Sequence, residues 1–341
     1  MINTYLNKVG VGKERWKDLT YEEAFDAHKL ILDGKTTDIQ IGAFWSAMRI
    51  KYATPEELNG FIDAVREETN YIDTYPLKPV DLSVGYDGKN KSIHVLPAAI
   101  FIATGAGAKV VGHGNEGVPS KFGVTYQEVL NAMGGMTQLK PDNILKTLEL
   151  SGFGFYHQKY INPKLASLLP KRQEFGLRNF LNTIEKMINP FKTTKVLAGV
   201  THKQFVTKYI QLGTHVGFKD IFIIKGLEGG IEPFPNRETK VCTNKVFSLS
   251  IITKEVKEDI KFAENVSIKD NADICLSILK NEENPFKEWA LLTAALIISA
   301  YETNDDIKKS ISMAEESLNS GAALESFEVY KSLSTNKKVI F

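Results

Sequence analysis

Three apolar stripes with helical spacing open the chain. Ala24, Ala27, Leu30 and Ile31 share one face, Ile41, Phe44, Trp45 and Met48 a second, and Leu58, Phe61, Ile62 and Val65 a third. Polar residues mark where each helix begins. Thr20-Tyr21-Glu22-Glu23 and Thr37-Asp38-Ile39-Gln40 put threonine at the cap and an acceptor three residues on, which is the capping-box pattern. Thr54-Pro55-Glu56-Glu57 adds proline at the first helical position, where its missing N–H has no partner to lose. Gly34 stops the first helix, and the third runs from about Pro55 to Glu68. Residues 1–70 therefore read as a small all-helical domain. Three helices of this length bury little by themselves, so the stripes must meet the rest of the chain or a second copy of it.

Beyond the two prolines of residues 71–79 the pattern changes. Short apolar runs at Val80–Val84, Ala108–Val111, Val196–Val200 and Asp220–Ile224 are separated by longer, helix-compatible stretches, and Gly152–Phe155 between them reads as a strand or a loop. That alternation predicts a larger α/β domain with a mostly parallel central sheet. A small-residue helix is expected from about Pro97 to Gly105, and Thr201-His202 is expected to begin another. Residues 233–269 carry period-two stretches such as Val246 to Ser250, which predict an antiparallel edge. Helices close the chain over Trp289–Tyr301, Asp305–Ser320 and Ala322–Ser334. The expected boundaries are 1–70 for the helical domain, with helices from about 165–189 packing on it, and 71–164 plus 190–341 for the α/β domain. No internal repeat is present.

Composition narrows the function classes. With 341 residues, 43% of them apolar, the chain can bury a sizeable core, and two cysteines, Cys242 and Cys275, imply neither a disulfide framework nor a metal cage. The N-terminus lacks the apolar core of a signal peptide and no long apolar run occurs, so a cytoplasmic protein without membrane contact is expected. Net charge is only +1, yet residues 157–208 hold ten Lys or Arg against two acids. Such clustering favours an anionic partner, although exposed lysines also serve simply as a solvated face.

Two glycine-bearing loops end the first two apolar runs of the α/β domain. They read Gly85-Tyr86-Asp87-Gly88-Lys89-Asn90 and Gly112-His113-Gly114-Asn115. Loops at the carboxyl ends of parallel strands are where ligands usually sit, and glycine lets backbone N–H groups approach an anion. Neither loop is a P-loop or a GxGxxG fingerprint, and both are equally compatible with ordinary strand-to-helix turns. No nucleophile–base motif appears, and no His, Cys, Asp or Glu set has metal-ligand spacing.

On these loops the chain resembles the anthranilate phosphoribosyltransferase family, in a likeness that runs nearly end to end. Members carry GTGGDGKxTFNxST and then KHGN; this chain keeps Asp87-Gly88-Lys89-Asn90 and His113-Gly114-Asn115. Leu177 to Pro190 resembles the family's LGxRTxFNxLGPLxNP helix, and Pro170-Lys171-Arg172 its Pro-x-Arg entry. The resemblance implies a nucleoside phosphorylase/phosphoribosyltransferase type of fold and a homodimer through the N-terminal helices. It also implies a ligand or phosphate site at Gly85, Asp87, Gly88, Lys89, Asn90, His113, Asn115, Lys121 and Arg172.

The departures fall on the family's phosphate and magnesium groups. Ser83-Val84-Gly85-Tyr86-Asp87 has one glycine where the family has three, and His94-Val95-Leu96-Pro97 replaces Asn-x-Ser-Thr. The KHGN lysine is Gly112. The GxDGLDE signature becomes Gly226-Leu227-Glu228-Gly229-Gly230-Ile231-Glu232, leaving Glu228 and Glu232 as metal candidates. Magnesium is expected only if the protein is an enzyme. Tyr86, Leu96 and Phe122 inside the cleft would exclude phosphoribosyl pyrophosphate. The pattern looks like the family's second, non-biosynthetic branch, whose members bind nucleic acid; the Pro235-Asn236-Arg237 triplet adds to that likeness. A nucleic-acid face is then expected from Lys171, Arg172, Arg178, Lys192, Lys195 and Lys203, Arg172 and Arg178 lying about two helical turns apart. The alternative is a phosphoribosyltransferase with an altered phosphate loop, acting on an aromatic or nucleobase-like acceptor.

Overall fold

The strands alternate between two hydrophobic cores. Val80 and Leu82 of β1 (Val80–Ser83), Phe153 and Phe155 of β3 (Phe153–His157), Leu197 of β4 (Lys195–Gly199), and Phe222 and Ile224 of β5 (Asp220–Ile224) enter one core. Val111 of β2 (Val110–Gly114), Tyr156, Val196, Ala198, Ile221 and Ile223 enter the other. Successive side chains of a strand point to opposite faces, so a sheet covered on both sides needs apolar residues at nearly every position. That is why these segments read as continuous apolar runs. The structure, a computed structural model, describes residues 1–234, 238–245, 249–252 and 267–335.

Seven strands form one sheet in the order β3-β2-β1-β4-β5-β6-β7, where β6 is Glu238–Thr243 and β7 is Leu249–Ile252. The first five are parallel; β6 and β7 add an antiparallel edge. Leu82 is flanked by Gly112 and Leu197. The chain winds outward from β1 to β3 and returns to the other side of β1 with β4. The crevice between the carboxyl ends of β1 and β4 is therefore the topological switch point. The mostly parallel α/β domain expected from the alternating runs is present. Residues 246–248 of the period-two stretch and the Pro235-Asn236-Arg237 triplet lie outside the described residues.

The helical domain shares the second core with the sheet. Capping boxes start Tyr21–Leu32, Asp38–Lys51 and Pro55–Arg66 at the three expected threonines. Their apolar stripes are buried within the chain: Phe61 stacks on Phe180 with ring centroids 4.0 Å apart, and Trp45 meets Phe175 edge-on. These faces do not remain over for a second copy. The apolar residues that helix Asp38–Lys51 leaves exposed are Ile39, Ala43 and Ile50, on its opposite side.

Several helices escape the apolar pattern, notably Ile2–Val9, Pro141–Ser151 and Ile268–Leu279. Pro141–Ser151 buries only Ile144, Thr147, Leu148 and Ser151, too narrow a stripe to stand out. The helix expected at Thr201-His202 begins later, at Phe205. Among the described residues no helix is long and apolar enough to cross a membrane.

Candidate functional site

A cleft of about 330 Å³ opens where the switch point faces the helical domain. Its floor is the turn after β1 (Gly85, Asp87) and the end of β4 (Gly199, Val200, Thr201). Helix Asp38–Lys51 and the turn beyond it contribute Arg49 and Tyr52, the segment before helix Leu181–Ile184 contributes Arg178, and helix Phe205–His215 contributes Lys208 and Tyr209. A side chain at Gly199 would collide with the carbonyls of Gly229 and Gly230 at 2.3–2.4 Å, so glycine is what lets the loop after β5 lie against the end of β4.

The polar groups of the cleft hold one another. Arg178 donates from Nε to Asp87 Oδ2 at 3.1 Å and pairs with the same oxygen through Nη2. Arg49 Nη1 donates to the Arg178 carbonyl at 2.7 Å, and Lys208 Nζ to the Ala53 carbonyl at 2.6 Å. Lys186 is buried, donates to the Gly199 carbonyl and lies 4.5 Å from the Tyr209 ring centroid. Burial pushes its amine down to about 7, with Arg178 and Lys121 adding to the effect and Asp87 and Glu185 opposing it.

Beside the cleft, the chain's own side chains pair with one another around the first glycine loop. The Glu228 carboxylate accepts from the N–H of Asn90 (3.1 Å) and Lys91 (2.9 Å) and from Ser92 Oγ (2.7 Å). Burial raises its pKa, but these donors outweigh it and hold the group ionised. Lys89 Nζ lies 2.5 Å from Glu232 Oε1, both side chains buried. The remaining void is about 20 Å³, room for about one water. Gly88, at φ +67°, packs so tightly on Gly123 that a Cβ would lie 2.3 Å from its carbonyl oxygen.

The expected phosphate residues divide accordingly. Gly85 and Asp87 face the cleft. Gly88, Lys89 and Lys121 line the small void, and Lys121 donates to the Glu228 carbonyl at 3.1 Å. Asn90 is exposed and closes its own loop through the Lys121 carbonyl. His113, Asn115 and Arg172 do not reach the cleft. His113 is fully buried between Tyr86 and Asp81, and Asn115 donates to Gln158. Arg172, 1% exposed, forms a two-pronged pair with Glu185 at 2.6 and 3.1 Å. Its guanidinium is spent on a buried carboxylate, which the intact Pro-x-Arg pattern could not reveal.

The expected basic face is also broken up. Lys192 stacks on Tyr71 and Lys195 pairs with the Tyr301 carbonyl, both at the amino end of β4, whereas Lys203 and Arg178 lie at the carboxyl ends of the sheet. Lys171 reaches Asp38 of the helical domain. Arg172 lies in the short helix Leu169–Phe175, which Gly176 terminates in the left-handed conformation, so Arg178 is not two turns along it. Tyr86 and Leu96 are buried in the interior and Phe122 is half exposed at 52%; Leu96 alone borders the small void.

The metal candidates do not fit a magnesium ion. Glu228 is committed to backbone donors, and the Lys89 ammonium supplies the positive charge at Glu232. Among the described residues no cluster of three or more His, Cys, Asp or Glu could hold a metal. The cleft residues missed from sequence are Arg49, Lys186 and Lys208. Only the local basic excess signalled the last two, and Arg49 lies far away in the chain.

Residues 3–69 match the glycosyl transferase family, helical bundle domain, and residues 80–324 the glycosyl transferase family, a/b domain. An uncharacterized protein of Aquifex aeolicus (strain VF5) is 36% identical over 312 residues, covering 89% of this chain and 94% of the relative. The anthranilate phosphoribosyltransferase of the same organism is 32% identical over 328 residues, 94% of this chain and 95% of the relative. Among solved structures, anthranilate phosphoribosyltransferase from Thermus thermophilus superposes with a TM-score of 0.82 at 22% identity, covering 98% of this chain and 100% of that one. The Saccharomyces cerevisiae enzyme in complex with PRPP and Mg gives 0.83 at 19% identity, covering 98% of each.

Proposed function

Because the chain belongs to the glycosyl transferase family whose helical-bundle and α/β domains it carries, we propose a function within that scaffold other than phosphoribosyl transfer. The protein is an anthranilate phosphoribosyltransferase-like protein that binds nucleic acid in the interdomain cleft, with little preference for sequence. The Lys89–Glu232 pair is the observation that carries this reading. A pyrophosphate donor with magnesium needs space and an ion that keeps several oxygen ligands. Here an ammonium occupies the carboxylate, Glu228 occupies the loop N–H groups, and room for about one water remains.

The larger cleft supports the binding half of the proposal. Arg49, Arg178, Lys186 and Lys208 can neutralise phosphates, and Tyr52 and Phe205 offer rings on which bases stack. A homodimer and a cytoplasmic location belong to the same proposal. The test pairs a steady-state assay with anthranilate, phosphoribosyl pyrophosphate and magnesium with fluorescence anisotropy of labelled oligonucleotides across a salt series. No turnover together with salt-sensitive binding is expected. Turnover on the order of 1 per second or more would refute it.

A second reading, a pentosyl transferase acting on an aromatic or nucleobase-like acceptor, draws on the cleft volume, which is within the range of small-molecule sites. Turnover without oligonucleotide binding would establish that reading instead.

A further inference from the structure

Lys186 sits in the one-turn 3-10 segment Glu185–Met187, directly after helix Leu181–Ile184. The residue is 5% exposed, yet it lines the cleft. A buried ammonium normally requires a carboxylate. Here the two that face it are already taken: Glu185 by Arg172, Asp87 by Arg178. Among the described residues Lys186 makes no ion pair. Its amine donates to the Gly199 carbonyl and rests on the face of Tyr209. The charged groups around it are Asp87, Glu185, Arg178 and Lys121. No solvated face of the protein explains a lysine in this position.

We propose that Lys186 is a covalent capture site for a small aldehyde or ketone that also carries an anionic group. Its nitrogen adds to the carbonyl carbon, the C–O bond breaks, and a C=N bond forms. The carbonyl oxygen leaves as water with the two amine hydrogens, so the step needs no oxidant or reductant. Burial holds the amine near 7, so its neutral, nucleophilic fraction at pH 7 exceeds that of an ordinary lysine about a thousandfold. The cleft supplies the second half of the recognition. Arg49, Arg178 and Lys208 stand around the same space and favour an anionic substituent. The ring of Tyr209 and the half-buried Phe205 shield the adduct from water.

Lys186 and the cations beside it lie in the same cleft proposed for nucleic acid, so the test is made without oligonucleotide and its outcome does not depend on whether oligonucleotide binds. The full chain is treated at about pH 7.5 with pyridoxal 5′-phosphate, an aldehyde with a phosphate, then with borohydride, which transfers hydride to the imine carbon and fixes it. Peptide mass mapping locates the label. One equivalent on Lys186, absent from Lys186→Met and from Lys186→Arg, is the expected result. Labelling should rise through about pH 7 and be slower with pyridoxal, which lacks the phosphate. Label spread evenly over exposed lysines, or a labelling rate that rises only near pH 10, would overturn the proposal. Mapping of the unmutated chain decides the matter even if the variants fold poorly. Equal rates for the two probes would overturn the requirement for an anion.

Discussion

The hydroxyl of Tyr86 hydrogen-bonds Nδ1 of His113, whose other ring nitrogen faces Asp81 Oδ1 at 3.3 Å. The same hydroxyl donates to the Glu185 carbonyl at 3.2 Å. The tyrosine of the first glycine loop therefore points down between β1 and β2, into the interior, and does not block the cleft from above. The contacts around that loop are ionic: Lys89 on Glu232, and Glu228 on the N–H groups of Asn90 and Lys91.

Tyr86→Phe removes the hydroxyl and leaves a fully buried imidazole nitrogen unpaired. A loss of about 1–3 kcal/mol in folding stability is expected, with oligonucleotide affinity unchanged. Urea denaturation and anisotropy on the same variant check both halves. A variant as stable as the parent would show that the bond contributes nothing.

Arg172→Ala strips the buried Glu185 of its two-pronged partner. Removing one member of a buried pair costs about 3–5 kcal/mol. The residue should therefore behave as a stability determinant. A ligand-affinity defect in a fully stable variant would restore it to the binding site.

His28 is fully buried, edge-on to Phe61 and Phe180. Burial pushes it down to about 4, against the opposing hydrogen bond to the Phe61 carbonyl. The folded value is lower than the unfolded one, so between about pH 6.5 and 4 the unfolded chain binds a proton that the folded chain does not. Stability contributed by neutral His28 is present above pH 6.5 and lost as pH falls, by about 3 kcal/mol across the window. Urea midpoints measured from about pH 7.5 to 4.5 should drop less steeply in His28→Leu than in the parent.

Oligonucleotide binding should depend on which end of the sheet is altered. Lys208→Ala and Arg178→Ala, in the cleft, should each reduce the log–log salt slope by about one unit. Lys192→Ala and Lys195→Ala, at the amino end of β4, should leave it unchanged. Equal effects at both ends would contradict a cleft-centred mode.

Assembly is expected to use the outer side of helix Asp38–Lys51, where Ile39 (86% exposed) and Ile50 (63%) flank Ala43. A two-fold contact would cover both copies of this stripe. Sedimentation should give a dimer for the parent and a monomer for Ile39→Glu/Ile50→Glu. A monomeric parent at micromolar concentration would rule the interface out.

The amino-acid sequence by itself determined what is local. Three threonine caps set three of the helix starts of the first domain, because a side-chain acceptor three residues from its partner needs no distant contact. Continuous apolar runs marked the parallel strands, because a doubly covered sheet leaves them no polar face. The changed loop residues were also visible as changes. Tertiary structure alone decided what those residues do. Whether Arg172 meets a ligand or Glu185, whether Tyr86 points up or down, and whether Lys89 stays free or neutralises Glu232 depend on groups 13 to 143 positions away that are brought together only by packing. The basic run illustrates the limit: its charges are neighbours along the chain, but β4 carries them from one end of the sheet to the other, where Asp87, Tyr71 and Tyr301 claim them separately.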